Sequence, residues 1–575
     1  MCRQNVSPGR ILMDVKRLLL VIPLAVLAYL LVIQWNADYG QNNVEHSAPT
    51  SVAQGTTDSD DASEGLSAPS ASNAGNNASP DSAGMPGEKS QTDANGLIQV
   101  RTDVLDLRID PRGGDVVYAA LPKHKASLDS DQPFVLLSDN NVRSYVAKSG
   151  LQLEGHEGRI TYTPEQTEYT LGEDQDSLTV DLKAEVNGVN VIKRFVFDRN
   201  AYAVHVEYRL DNESQTPVSA RFIGQLARDD SDDPSQGVSM GMKSFLGATF
   251  STQESNYEKI SFEDIRDGEF NNVESEGGWV AMIQHYFTSA WVPEQNQENL
   301  YYANIDSRDR NVAAFAGPSQ QIAPGETTRM AATLYMGPKI QDRLEAIAPH
   351  LELTVDFGWL WFIANPLFWL LAKIHSLIGN WGWSIVLLTV IVKIVLFPLS
   401  AKAYKSMAKM RKMGPEMKRI KEQYGDDRQK MSQEMMKFYQ KEKINPLGGC
   451  LPIVVQMPVF IALYWMLLES VELRHAPFIL WINDLSAQDP YFILPIIMGA
   501  SMFVQQLLNP TPPDPMQAKI MKMLPVVFTF FFLWFPAGLV IYWICNNVIS
   551  ILQQWIITRK IEADGESGKT SKAKS

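Results

Sequence analysis

The feature that most constrains the fold is the division of the chain into a long acidic polar stretch and two apolar, basic ends. The formal net charge is -14; residues 1–36 carry +3 and residues 357–575 carry +9, which leaves -26 on residues 37–356. Lys and Arg beside apolar segments mark the parts of a membrane protein that stay in the cytoplasm. The pattern therefore predicts a multi-domain membrane protein whose acidic middle has crossed the membrane.

Residues 1–36 predict a cytoplasmic start followed by a transmembrane anchor. Residues 18–33 form an uncharged apolar run behind Lys16 and Arg17, and no small-x-small cleavage site follows it. We therefore expect an uncleaved helix with its N-terminus inside. The sequence does not distinguish between Met1 and Met13 as the residue at which translation starts.

Residues 37–95 and 96–350 predict a disordered tether followed by a β-sandwich domain. The tether is rich in Ser, Ala, Gly, Asn and Asp, so it cannot bury enough apolar surface to offset the entropy of ordering. From Gly96 the apolar residues alternate with polar ones, as in residues 202–210, which is typical of half-buried antiparallel strands. None of the three cysteines lies in this domain, so burial must hold it together.

Beyond residue 356 the chain returns to the membrane. Residues 357–376, rich in Trp and Phe, favour an amphipathic helix in the membrane interface. Five apolar spans then follow within residues 377–561, and together with the anchor they predict six transmembrane helices. The spans are about 381–399, 451–468, 491–508, 523–535 and 538–557, and the fourth is short for a hydrocarbon core of ~30 Å.

The loops between the spans indicate the orientation. Residues 400–444 hold thirteen Lys and Arg against six acids, so we place a helical hairpin at residues 401–443 in the cytoplasm. The next loop has Arg474 as its one fixed cation. The cytoplasmic tail predicted at residues 562–575, taken with the two cations before it, holds Arg559, Lys560, Lys569, Lys572 and Lys574. Both termini are therefore predicted to be cytoplasmic.

Lys393 is the one unambiguous charge inside these five spans. At 1.5 Å per residue it lies ~18 Å from the outer interface, where a cation costs roughly 3 kcal/mol. One explanation is that its side chain reaches past Phe397 to the cytoplasmic headgroups. The other is that it faces water or a partner in a cavity.

Polar residues on other spans favour the second explanation. They recur at helical spacing and form stripes, although such stripes also arise from simple hydrogen bonding between helices. The candidate groove residues are Lys393, Thr389, Gln456, Ser501, Gln505, Tyr542, Asn546, Ser550 and Gln553. Since no Asp or Glu accompanies the cation in the spans, an ion pump is not expected.

Methionines and cations are interleaved in the predicted cytoplasmic hairpin. Flexible methionine side chains suit the binding of varied apolar segments, but they are equally suited to packing the two helices of the hairpin together. The candidate contacts with substrates or ribosomes are Met407, Met410, Lys409, Arg411, Met435 and Met436.

Two motifs give no support to an enzyme. Residues 563–570 fit a loose P-loop pattern but lack its first glycine and follow a membrane helix instead of a strand. The eight histidines show no metal-ligand spacing, so neither a metal nor another cofactor is expected. We interpret His285 as a core residue of the sandwich.

Short motifs in the C-terminal part resemble the YidC/Oxa/Alb family of membrane protein insertases. The resemblance covers about residues 356–561. Its motifs are residues 379–384 (GNWGWS), 406–411 (SMAKMR), 425–427 (GDD), 432–436 (SQEMM), 445–450 (NPLGGC), 456–458 (QMP), 485–490 (LSAQDP) and 532–538 (FLWFPAG).

The resemblance implies the Gram-negative form of the family. Its fold would be a five-helix insertase core plus the N-terminal anchor in the bacterial inner membrane, with a periplasmic β-supersandwich domain. Its function would be to integrate and help fold new membrane proteins through a hydrophilic groove, without being an enzyme. The implied partners are nascent membrane proteins, the Sec translocon, the ribosome and lipid. Lys393 stands where the family usually has Arg, and Tyr542 and Trp543 fall where it places aromatic substrate contacts.

Two alternatives come from parts of the chain. The β domain alone is compatible with a membrane-tethered sugar-binding or epimerising protein. A small-solute transporter is disfavoured because intramembrane acids and repeated pairs of spans are missing.

Overall fold

The computed structural model describes residues 96–236, 244–424, 427–442, 451–509 and 515–572. Within them a sheet-rich domain precedes a helical region, as the sequence predicts. The predicted anchor and tether, together with the motif at residues 445–450, lie outside the described residues.

Two large antiparallel sheets build the first domain. One has the strand order β14-β17-β18-β11-β5-β4-β3-β2-β1-β7 with β19 paired to β11, and the other has the order β13-β12-β15-β16-β20-β10-β9-β8-β6; within the first, β1 and β7 are parallel. The strands are β1 Ile98–Arg101, β2 Asp106–Asp110, β3 Asp115–Lys125, β4 Pro133–Asp139, β5 Ser144–Leu153, β6 Thr163–Pro164, β7 Glu168–Thr170, β8 Ser177–Val186, β9 Val189–Asp198, β10 Ala203–Asn212, β11 Val218–Arg228, β12 Gly247–Ser251, β13 Glu258–Ser261, β14 Val273–Glu276, β15 Trp279–Ile283, β16 Phe287–Pro293, β17 Glu298–Ile305, β18 Asn311–Ala316, β19 Gln320–Ile322 and β20 Thr327–Pro338. Two short helices, α1 Phe262–Arg266 and α2 Gln341–Glu345, accompany them.

The core lies between the two sheets. Along β10 the apolar side chains point inward at every second residue, so Val204, Val206 and Tyr208 are buried as the alternation predicts. Contacts then cross from one sheet to the other. The Tyr208 and Phe222 rings lie 4.9 Å apart, and Trp291 Nε1 donates a hydrogen bond to Gln225 O at 3.2 Å. The sheets therefore pack face to face.

Charged groups are also buried between the sheets. Lys193 takes an inward position of β9, where its Nζ donates to Gly113 O and Gly114 O at 2.8 Å. Asp115 bonds to Arg159 and accepts the Ser149 N–H at 3.0 Å. This cluster joins β3, β5 and β9.

The helical region follows the sheets after two 3-10 turns. Its helices are α3 Trp361–Ile378, α4 Trp381–Val395, α5 Phe397–Lys412, α6 Gly414–Tyr424, α7 Arg428–Lys441, α8 Leu451–Glu469, α9 Ile493–Leu508, α10 Pro515–Phe531 and α11 Ala537–Lys572. By length and composition, two segments of the described chain can cross a membrane, Gly358–Ile378 and Ala537–Ile561. A third is possible if α4 and α5, bent by 68°, count as one span. The described residues thus do not establish the predicted count of six.

Three helix bounds differ from those of the predicted segments. The segment predicted to lie in the interface forms α3, which ends at Ile378, and by length and composition residues Gly358–Ile378 are also apolar enough to span. Helix α10 begins at Pro515, eight residues before the predicted fourth span, and ends at Phe531, four residues before that span ends; its first turns hold Lys519 and Lys522. Finally, α11 continues to Lys572, so the Gly-Lys-Thr run at residues 568–570 is helical, unlike a P-loop.

Candidate functional site

Lys393 lies in the last turn of α4 and is 3% exposed. Its Nζ donates to Ser550 Oγ on α11 at 2.8 Å and to Gln456 Oε1 on α8 at 3.2 Å. The side chain therefore turns inward between three helices. This geometry does not match a lysine that reaches past Phe397 to the headgroups.

Gln456 connects the lysine to a stripe of polar residues on α11. Its Nε2 donates to Tyr542 OH at 3.4 Å and also to Asn546 Oδ1. The Ser550 hydroxyl in turn donates to Asn546 O at 2.7 Å. Tyr542, Asn546 and Ser550 follow one another every four residues, so they lie on one face of the helix. We call these five residues, Lys393, Gln456, Tyr542, Asn546 and Ser550, the Lys393 cluster.

The Lys393 cluster carries a positive charge that no carboxylate balances in the part of the chain the structure describes. The hydroxyl of Ser550 and the amide of Gln456 are both neutral acceptors. Such groups replace some of the water that a buried ammonium loses, but they do not neutralise it. An anionic group that entered this site would therefore be attracted by the Lys393 ammonium.

The other predicted groove residues lie outside this network. Thr389 is buried but donates to Ile385 O of its own helix at 2.7 Å. Ser501 on α9 accepts from Asn547 Nδ2 at 2.9 Å. Gln505 is half-buried on the same helix. The buried Oε1 of Gln553 has no hydrogen-bond partner among the described residues.

Trp543 packs in an aromatic group. Its ring lies 4.5 Å from that of Phe460 and 5.4 Å from that of Phe532. Its buried indole N–H has no hydrogen-bond partner within the described ranges. The two adjacent aromatic residues thus belong to different surroundings, Tyr542 to the polar cluster and Trp543 to an apolar wall.

A second polar stripe on α11 was not predicted. Asn547 bonds to Ser501, and Gln554, seven residues later, donates to Leu508 O at 3.1 Å and to Asn509 Oδ1 at 3.2 Å. A seven-residue spacing returns to the same side of a helix, so this signal was present in the sequence. Because the side-chain amide groups of Asn547 and Gln554 donate hydrogen bonds to α9 and to the residue after it, the stripe joins α11 to α9.

The hairpin methionines divide into two groups. Met435 is buried with Tyr439, and Met410 packs against them, so these two predicted contacts stabilise the hairpin itself. Met407 and Met436 are half-buried. The cations Lys409 and Arg411 are exposed.

No group of three or more His, Cys, Asp or Glu side chains suited to a metal ion occurs in the ranges that the structure covers. His285 is buried, but it lies against the helical region, where its Nε2 donates to Leu468 O at 2.9 Å. The interpretation of His285 as a simple core residue missed this contact, because sequence periodicity does not reveal what a distant helix places beside a strand.

Comparisons with known proteins cover nearly the whole chain. The family model described as "YidC periplasmic domain" matches residues 97–370, and the one described as "60Kd inner membrane protein" matches residues 373–564. Membrane protein insertase YidC of Stutzerimonas stutzeri (strain A1501) is 53% identical over 560 residues, which is 96% of this chain and 99% of that protein. The protein of the same name from Pseudomonas fluorescens (strain SBW25) is 52% identical over 568 residues, with the same coverage.

Among solved structures, one titled "Active YidC insertase crystal structure with the first transmembrane domain resolved" is 19% identical. It covers 80% of this chain and 92% of its own, with a TM-score of 0.37. The family assignment rests on the sequence matches, since relatives above 50% identity span both the sheet domain and the helices. The chain therefore belongs to the YidC family of membrane protein insertases: it is an inner-membrane insertase with a periplasmic sheet domain and apolar helices, and it is not an enzyme.

Proposed function

We propose that the chain inserts newly made membrane proteins by receiving their polar, acidic ends at the Lys393 cluster. The observation that carries this proposal is the buried, unneutralised Lys393 ammonium, surrounded by polar side chains from α8 and α11. A charge in that position is costly unless water or an anion meets it during the working cycle.

The free-energy cost of moving polar groups through the bilayer explains how such a cluster would help insertion. Each unsatisfied backbone group or charge costs several kcal/mol in hydrocarbon, so a polar tail cannot cross the membrane unaided. A hydrophilic groove that extends part of the way through the bilayer shortens the distance that the tail must cross in hydrocarbon. The membrane potential, at about 2.3 kcal/mol per charge per 100 mV, then favours moving an acidic tail outward. The apolar segment of the client leaves sideways into lipid, and no nucleotide is consumed.

The topology belongs to the same proposal. Six transmembrane helices, with both termini in the cytoplasm, would place the cationic hairpin inside and a β-supersandwich in the periplasm. In this arrangement α3 lies in the membrane interface. The exposed Trp361, Phe362 and Trp369 of α3, and Trp359 in the 3-10 turn before it, support this, because large aromatic rings favour the headgroup region.

The hairpin is proposed to meet the ribosome and the emerging client. Lys409 and Arg411 are exposed on α5 and would contact the phosphate backbone of ribosomal RNA. Met407 and Met436 are half-buried and are the predicted methionines that do not pack in the Met435–Tyr439 cluster of the hairpin. Delivery of some clients by the Sec translocon fits this same role.

The experiment that tests the proposal is photo-crosslinking to ribosome-bound nascent chains. A photoreactive residue at position 542 retains Lys393 and should crosslink to the acidic tail of a single-span client. The matched control is position 548, since Val548 lies on the exposed face of the same helix. Position 389, one turn before Lys393, should give weaker crosslinks because Thr389 is turned toward its own helix. Equal tail crosslinking from positions 542 and 548 would refute a preferred site.

A further inference from the structure

The carboxylate of Glu469 occupies an unusually unfavourable place. Glu469 is the last residue of α8, where the backbone carbonyls already give the helix end a partial negative charge. Its side chain is also 4% exposed, so water does not solvate it. Both burial and the helix dipole oppose a carboxylate here, and the sheet domain supplies what offsets them.

Two residues of the sheet domain hold this carboxylate. Lys339, which directly follows β20 and whose side chain is 1% exposed, places Nζ 3.1 Å from Glu469 Oε2. Ser244, which precedes β12, donates its hydroxyl to Glu469 Oε1 at 2.5 Å. Each carboxylate oxygen therefore has its own partner, and the ion pair is enclosed.

The neighbouring residue of α8 is held by the same domain. His285, between β15 and β16, donates Nε2–H to Leu468 O at 2.9 Å and receives support from Asp233, which accepts the His285 N–H at 2.6 Å. A free carbonyl at a helix end needs such a donor. Directional bonds to two successive residues fix both the height and the rotation of the last turn of α8.

A buried ion pair adds little to stability compared with apolar side chains, but it tolerates few alternative geometries. The sheet domain also contacts the loop after α8, where Arg474 donates to Ala126 O at 3.0 Å and lies over the Phe134 ring at 5.5 Å. The Arg474 contacts by themselves would only attach the sheet domain to the loop after α8. The Lys339–Glu469 pair goes further, since it fixes the orientation of a helix that carries a residue of the Lys393 cluster.

We propose that Lys339 and Glu469 are positioning residues for insertion, acting through Gln456. This inference rests on the proposed function of the Lys393 cluster. Gln456 lies thirteen residues before Glu469, about 20 Å along α8. A rotation of α8 by a single residue, about 100°, would turn the Gln456 amide away from Tyr542 and Asn546. The periplasmic domain thereby fixes the arrangement of a site inside the membrane.

The test uses the full chain in proteoliposomes with two readouts. One is insertion of a client with an acidic tail; the other is the rate of disulfide formation between Gln456→Cys and Asn546→Cys, which reports where α8 lies relative to α11. Lys339→Met and Glu469→Gln should each lower insertion about fivefold and slow the disulfide by a similar factor. Lys339→Arg, and the exchange Lys339→Glu with Glu469→Lys, should restore both. The matched control is Lys125→Met, which removes the exposed 2.9 Å pair with Asp131 and should change neither readout.

The outcomes separate this inference from the function on which it rests. Normal insertion by both single variants overturns it, as does reduced insertion with an unchanged rate of disulfide formation. If Lys393→Ala impairs insertion while the Lys339 variants do not, only the positioning role fails. If Lys393→Ala inserts clients normally, the proposed function fails with it.

Discussion

Replacing Lys393 with alanine or glutamate is expected to reduce insertion of a single-span client with an acidic tail by about ten- to hundredfold. Such a loss corresponds to about 1.4 to 2.7 kcal/mol in the barrier. Two opposite charges 4 Å apart attract by about 4 kcal/mol at an effective dielectric constant of 20. The expected loss is therefore smaller than the full attraction between the Lys393 ammonium and one carboxylate of the tail. Glutamate should be worse than alanine because it repels the tail.

Reconstituted proteoliposomes and protease protection of the client measure this effect. Lys393→Arg keeps the charge and should retain most insertion, although a guanidinium needs a different arrangement of acceptors from an ammonium. Lys402→Ala, which removes an exposed cation on α5, is the matched control and should insert normally. A client whose tail acids are replaced by asparagine should depend less on Lys393. Wild-type insertion by both the alanine and glutamate variants would contradict the electrostatic role.

Asp115→Ala is expected to destabilise the sheet domain by roughly 3 to 5 kcal/mol, the usual cost of removing one partner from a buried ion pair. Asp115 bonds to the buried Arg159 and accepts the Ser149 N–H. It also faces Lys193. Burial holds the pKa of Lys193 well below its usual range, and the negative charge of Asp115 opposes that shift. Without Asp115, the buried Arg159 guanidinium loses the carboxylate bonded to it, and the pKa of Lys193 falls further.

Hydrogen exchange of the full chain, read by mass spectrometry in β3 and β9, localises this loss. The variant should expose the amides of these strands much faster than the parent does. Asp131→Ala removes a carboxylate whose side chain is 97% exposed and should leave the exchange unchanged. Equal exchange rates for the two variants would show that the cluster does not support the domain.

The parts of the fold that local patterns control were predictable. Strand β10 follows its alternation residue by residue, because each strand side chain points to one face or the other. Helices α4, α8, α9 and α11 begin close to the predicted apolar spans. The four-residue spacing of Tyr542, Asn546 and Ser550 placed them on one face, and all three meet in the Lys393 cluster.

Features that depend on distant neighbours were not predictable from one sequence. Periodicity indicates which residues share a face but not which helix that face meets, so Gln554 was missed and Trp543 was grouped with Tyr542. Lys193 takes an inward strand position because two backbone carbonyls of the turn before β3 accept hydrogen bonds from its Nζ. The Lys339–Glu469 pair joins residues 130 positions apart, and nothing local to either one signals the other.

Labelling of cysteines inside the Lys393 cluster tests the central claim most directly. In a chain whose three native cysteines are replaced, Tyr542→Cys and Asn546→Cys are treated with a membrane-impermeant maleimide from the cytoplasmic side. Leu552→Cys, on the exposed face of α11, provides the lipid-facing comparison. A water-accessible groove predicts that positions 542 and 546 are labelled faster than position 552. Labelling at positions 542 and 546 no faster than at 552 would contradict it.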